Sequence, residues 1–214
     1  MSSTVLPAYA STALERAAEV LRQGGLVIVP TDTVYGVAAA LDRPEAVARI
    51  YEAKGRMPEK PIALLVDRIE DVEAVALEIP TTARILMERF WPGGLTIVLP
   101  RRAEVPDIVA AGGPTIAVRM PDHIVPRALV RRLGRPLPTT SANRSGERSP
   151  RTVEESVAAL GDRVMIALDA GPAPGGIDST VIDVTTSPPA VVRVGAVSIA
   201  DLESALGGVV ARSS

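Results

Sequence analysis

The stretch Gly24-Gly25-Leu26-Val27-Ile28-Val29-Pro30-Thr31-Asp32-Thr33-Val34-Tyr35-Gly36 decides the fold class. Leu26–Val29 is an unbroken apolar run. A strand with one wet face would alternate apolar and polar residues, so this run predicts a strand covered on both faces, as in α/β sheets. Upstream, Leu14, Ala17, Ala18 and Leu21 fall on one helical face. Thr12-Ala13-Leu14-Glu15 has the spacing of a capping box, and Gly24-Gly25 supplies the stop. Downstream, the strand runs into a turn dense in hydroxyls. Ligands of open α/β sheets collect at strand ends, so Thr31 and Thr33 stand where a ligand would.

Working outward, Pro44 suits the first turn of a second helix, with Val47, Ile50 and Tyr51 on one side. The pattern predicts strands at Ile62–Val66, Leu95–Leu99, Thr115–Val118, Pro136–Thr139, Val164–Leu168, Val181–Val184 and Val191–Val194. It predicts helices near Ile69–Leu77, Thr81–Arg89, His123–Leu133 and Asp201–Leu206. A further helix runs to Leu160, opened by Thr152-Val153-Glu154-Glu155. Strict βαβ alternation is missing, which favours a twisted, mixed α/β sheet with flanking helices over a barrel. Neither an internal repeat nor an interdomain linker interrupts the pattern, so 1–214 reads as one domain with its core at about 14–206. The loops Arg101–Gly113, Ser141–Pro150 and Ala170–Ser179 are rich in Gly, Pro and Ser. Ser141–Pro150 is expected to act as a mobile lid.

Composition narrows the chemistry. Of 214 residues, 47% are hydrophobic but only 2% aromatic, so the core is aliphatic and few rings are available to stack bases. Net charge is −2, against the basic balance of a dedicated duplex binder. The sequence contains no cysteine, which excludes thiol catalysis and Cys-based zinc sites, and its one histidine, His123, reads as a loop or cap residue. No apolar run of 18 residues predicts a membrane span, and the N-terminus lacks a signal-peptide pattern, so a cytoplasmic location is expected. The phosphate-binding G-x-x-x-x-G-K-[ST] and G-x-G-x-x-G patterns and the G-x-S-x-G elbow are missing from the sequence.

What remains is a set of polar clusters at strand ends: Thr31 and Thr33; Arg119; Thr139-Thr140-Ser141-Ala142-Asn143; Asp178-Ser179-Thr180; and Arg193. Several strands ending this way suggest one shared cleft. Lys54-Gly55-Arg56 and Lys60 add cations, and Lys54 and Lys60 are the only two lysines. Lys54-Gly55-Arg56 has a structural reading too, as a cationic helix end with its glycine cap.

Taken in order, these stretches are similar to a known family. Pro30–Gly36, Ile50–Arg56, Phe90–Thr96, Ala117–His123, Thr140–Gly146, Asp178–Val181 and Val192–Gly195 resemble the YrdC family of threonylcarbamoyl-AMP synthases. The resemblance implies an α/β fold enclosing a basic cavity. It implies a synthase that joins L-threonine, bicarbonate and ATP, with Mg2+, into threonylcarbamoyl-AMP and pyrophosphate. The product would feed tRNA modification by separate transferase proteins. By matching positions, Thr33, Arg119, Thr139 and Ser179 would hold threonine. Lys54, Arg56, Lys60, Thr115, Ser141, Ser149 and Arg193 would hold ATP, while Asn143 would shape the loop. No residue is singled out as catalytic and no resident metal site is implied.

Three positions depart from the family's pattern. Lys60-Pro61-Ile62 stands where Asn-Pro-Leu is common, Leu65 where several members have a threonine-contacting histidine, and Arg193-Val194-Gly195 where Arg-Pro-Gly is usual. An RNA-binding module using the same cavity, with weak tRNA contact, is the alternative reading. A nucleotide-binding relative without turnover is a third.

Overall fold

The computed structural model describes residues 3–57 and 60–212. Its strands are β1 (Thr4–Pro7), β2 (Val27–Val29), β3 (Gly36–Ala38), β4 (Ala63–Leu65), β5 (Leu95–Pro100), β6 (Thr115–Arg119), β7 (Leu137–Ser141), β8 (Ile166–Asp169), β9 (Thr180–Asp183), β10 (Ala190–Arg193) and β11 (Ala211–Arg212). They form one mixed sheet in the order β1-β8-β2-β3-β7-β4-β6-β5-β9-β10-β11. The flanking helices are α1 (Ser11–Arg22), α2 (Pro44–Lys54), α3 (Thr81–Phe90), α4 (Ile124–Leu133), α5 (Val153–Leu160) and α6 (Ile199–Leu206). The fold class is therefore the twisted, mixed α/β sheet expected.

The apolar run in β2 has the predicted cause. Val27 and Val29 join a core with Ala13, Ala17 and Leu21 of α1 and Val125 and Leu129 of α4. Ile28 points the other way, into a larger core with Val47 and Ile50 of α2, Leu86 of α3 and Leu202 of α6. Successive residues of a strand face opposite sides, so a strand buried on both must be apolar throughout.

The same alternation makes room for a site. Leu95, Ile97, Leu99, Ile116, Val118, Ile182 and Val191 all join the larger core. On the opposite face the core under α1 and α4 draws on β2, β3, β4, β7 and β8, and takes nothing from β5, β6, β9 or β10. That half of the face instead bears Thr96, Val98, Ala117, Arg119 and Val181, which line a cavity.

Local elements follow mostly from local chemistry. Pro44 opens α2, and Gly55, at φ 58°, closes it in the left-handed conformation that favours glycine. His123 caps α4, its Nδ1 accepting from Val125 N at 3.2 Å. Thr152 caps α5, although Glu155 turns its carboxylate to Arg151 N at 2.6 Å. Two expectations are corrected. Helix α1 starts at Ser11 with Ala10 as N-cap and no side-chain cap, so Thr12 sits inside the first turn and makes no capping box. The segment expected as a helix over Ile69–Leu77 is a short 3-10 turn, Ile69–Ala74. β1, β3 and β11 lie outside the strands predicted above.

Candidate active site

The turn between β2 and β3 is built around one hydroxyl. Thr31 Oγ1 donates to Val34 O at 2.6 Å and accepts from Thr33 N and Val34 N. Its single proton is thus spent, so the 3.0 Å contact between the two hydroxyls has Thr33 as donor. Thr33 Oγ1 in turn accepts from Arg119 Nη1 at 2.7 Å. Arg119, at the end of β6, is only 6% exposed. Its Nη2 donates to Asp32 Oδ1 at 2.5 Å and its Nε to Gly93 O at 2.9 Å. Burial lowers its pKa from the ordinary arginine value, and Asp32 pulls against that shift. A buried guanidinium needs such a partner, because an unpaired charge inside a protein is strongly destabilising.

On the neighbouring strands, Ser179 Oγ lies 2.8 Å from Thr96 Oγ1 and accepts from Arg193 Nη2 at 3.2 Å. Arg193 also grips Ser179 O through Nε and Nη2, at 3.1 and 2.9 Å. Its orientation depends on a bulge: Val191 pairs with Ile182 but Arg193 pairs with Val181. The extra residue, Val192, sets Arg193 on the cavity side with Val181 instead of the core side with Val191. Gly195 follows in close contact, since a Cβ there would meet Asp178 O at 2.1 Å. A side chain at this position would displace the segment that carries Asp178 and Ser179.

Arg56 enters from beyond α2. Its Nη1 donates to Thr140 Oγ1 at 3.0 Å and its Nη2 to Pro61 O at 2.8 Å. Burial lowers its pKa, with Tyr51 opposing and Arg193 adding a smaller push in the same direction as burial. Lys54, two residues earlier, goes elsewhere. Its ammonium donates to Ser141 O, to Asn143 O at 2.7 Å and to Asn143 Oδ1 at 3.1 Å. Burial, then Arg56, push its pKa down to about 7, with Asp178 opposing.

These elements enclose a cavity of about 370 Å³, within the usual range for small-molecule sites. Of the residues assigned from the sequence, Thr33, Arg119, Thr139, Ser179, Arg56, Ser141 and Arg193 line it. Thr139 turns its hydroxyl proton to Leu137 O at 3.0 Å, leaving only its acceptor lone pairs for a ligand. Leu65 lines the wall as an apolar residue. Four other assigned residues lie outside this lining. Lys54 is tied to the loop after β7, and Lys60 is exposed. Thr115 lies on the cavity face of β6, two residues before Ala117 and beyond the lining. Ser149 reaches the cavity indirectly, donating to the Asp178 carboxylate at 3.0 and 3.1 Å. Thr96 was not singled out from the sequence. Its signal was the position in β5, an apolar strand that a lone threonine interrupts at the register of Val181.

Comparison with known proteins bears on this arrangement. The family model named for Sua5, YciO and YrdC, described as "Telomere recombination", matches residues 19–195. The chain belongs to the Sua5/YciO/YrdC family. A threonylcarbamoyl-AMP synthase of Pyrococcus abyssi is 41% identical over 192 residues, covering 89% of this chain and 56% of that protein. The Bacillus subtilis threonylcarbamoyl-AMP synthase is 38% identical over 195 residues, covering 91% and 56%. The chain thus spans little more than half the length of these two relatives. The structure of P. abyssi Sua5 complexed with L-threonine superposes with a TM-score of 0.93 at 36% identity, over 99% of this chain and 62% of that one. Escherichia coli YciO superposes with a TM-score of 0.83 at 25% identity, over 94% and 97%.

Proposed function

We propose that this chain is a threonylcarbamoyl-AMP synthase, converting L-threonine, bicarbonate and ATP into threonylcarbamoyl-AMP and pyrophosphate. The observation that carries the reading is the cavity itself. It gathers Thr33, Arg119, Ser141, Ser179 and Arg193, at or beside strand ends, together with Arg56 from beyond α2, in a Sua5/YciO/YrdC fold. The family relatives bearing that activity in their names, and the relative solved with L-threonine, support it.

The chemistry asks for positioning more than for a protein nucleophile. The threonine amine adds to carbon dioxide from bicarbonate and loses a proton, giving an N-carboxylate. One carboxylate oxygen then bonds to the α-phosphorus, the bond from that phosphorus to the bridging oxygen breaks, and pyrophosphate leaves with the electron pair. Both reactants are anions, so they meet only where fixed cations offset their repulsion. In this reading Arg119 and the hydroxyls of Thr33 and Ser179 orient threonine, with Thr139 as a further acceptor. Arg56 and Arg193 take phosphate oxygens, which a planar guanidinium can hold in pairs. Ser141 adds a hydroxyl at the nucleotide. Lys60, Thr115 and Ser149 act at most from the margin of the cavity, or after a movement of their loops.

Magnesium, when bound, would neutralise charge on the departing phosphates. Among the described residues, Asp178 is the one carboxylate that lines the cavity, and they hold no group of three His, Cys, Asp or Glu side chains able to chelate a metal. That donor set suits an ion carried in on the triphosphate. The product would pass to separate transferase proteins for tRNA modification. A cytoplasmic location suits that role, and no helix among the described residues is long and apolar enough to cross a membrane.

The test is pyrophosphate release from ATP with threonine, serine or no amino acid, each with and without bicarbonate. Release should require threonine and bicarbonate together. Equal turnover in all arms would sink the assignment.

A further inference from the structure

We propose that Lys54 is a positioning residue: it holds the segment 141–147 in the shape that a nucleotide meets, and does not itself touch phosphate. The inference rests on the synthase reading for its functional half only.

Lys54 and Arg56 are close in sequence but the left-handed Gly55 between them separates their directions. Arg56 turns into the cavity. Lys54 runs under the loop after β7 and is 3% exposed. Its three ammonium hydrogens have three acceptors: Ser141 O, Asn143 O and Asn143 Oδ1. Its own carbonyl accepts from Ser145 N at 2.8 Å. Asn143 extends the knot, its Nδ2 donating to Arg144 O at 3.0 Å and Glu147 O at 2.7 Å.

An ammonium whose donors are all used cannot bind phosphate without first breaking those bonds. A buried polar group left unpartnered is costly, so the exchange is unfavourable unless the whole loop moves. The residue that benefits is Ser141, whose carbonyl Lys54 holds and which lines the cavity. Lys54 thus links the end of α2 to the nucleotide side of the site through backbone carbonyls.

The test uses Lys54→Met, which keeps the length and loses the donors. Hydrogen exchange of the ligand-free protein should quicken by tenfold or more across 141–147, with α1 and β8 unchanged. This arm needs no assumption about activity, and unchanged exchange there overturns the proposal. In the pyrophosphate assay, KM for ATP should rise roughly tenfold, on the scale of one charge-assisted hydrogen bond, while KM for threonine holds. Asn143→Ala, with Lys54 intact, should quicken exchange in the same segment and raise KM for ATP. The double variant should be little worse than either single one, since both act through one network. Additive losses, or loss of ATP affinity with exchange unchanged, would mean direct contact with phosphate and overturn the proposal. If Lys54→Met does not fold, Asn143→Ala decides through the exchange arm. If the wild type releases no pyrophosphate, the synthase reading fails and the exchange arm still decides the strut.

Discussion

Arg56 keeps one nitrogen for which the protein has no acceptor among the described residues: its Nε is buried and unpartnered. Its other two nitrogens are fixed by Thr140 Oγ1 and Pro61 O. A buried donor left unpaired costs about 1–3 kcal/mol. Thr140 therefore matters through Arg56. Thr140→Val should weaken ATP binding roughly tenfold, on the scale of a hydrogen bond to a charged group, and Thr140→Ser should restore it. Calorimetric titration with ATP checks this, and equal affinities for the Val and Ser variants would remove Thr140 from the role. Residue by residue, the site was legible where chemistry and position agree. Arg119, Ser179 and Thr33 are polar groups at strand ends and line the cavity as expected. Lys54 was less legible, because residue type says nothing about direction, and its ammonium goes to the loop after β7.

Helix α4 shows what an element owes to its cap. His123 accepts from Val125 N through Nδ1, which requires the neutral ring. Burial keeps its pKa below the ordinary histidine value, against the pull of Asp32 and Asp122. A histidine held neutral by the fold contributes fully above the unfolded value of about 6.5 and loses that contribution as pH falls through the lower folded value. His123→Ala should therefore cost about 0.5–2 kcal/mol at pH 8, with His123→Asn nearly neutral. The margin of wild type over the Ala variant should shrink towards pH 5. Chemical denaturation at the two pH values measures it, and a margin independent of pH would rule out the cap. Most elements were legible because their periods are strong, as in the buried run of β2. Others were not. β3 is three residues, Gly-Val-Ala, with little strand propensity of its own, and it exists because β2 and β7 flank it. The bulge at Val192 was invisible too. Strict alternation places Arg193 with Val191, and only the pairing with β9 shows the extra residue that turns it around.

At the scale of the molecule, charge is balanced locally. Arg127 and Arg131 share the Asp67 carboxylate, at 2.9 and 2.5 Å, and Arg135 pairs with Asp42 at 2.8 Å. With a net charge of −2, attraction to a polyanion is left to scattered arginines such as Arg132, Arg144 and Arg148. The chain alone should bind tRNA with a dissociation constant of about 1 µM to 0.1 mM and release it as salt rises. Filter binding at two salt concentrations checks this. Tight, sequence-selective binding at about 200 mM salt, where non-specific contacts have largely faded, would revive the RNA-module reading.

The strand order has a consequence in time. The residues that line the cavity run from Thr31 to Arg193, and β2 completes its pairing only with β8, where Val27 meets Ile166. Contacts so distant along the chain form slowly, because the intervening loop must close before they give any reward. No early fragment holds the whole cavity. A ribosome must release nearly all of this chain before the first ligand can be held, and ligand capture thereby reports that folding has finished.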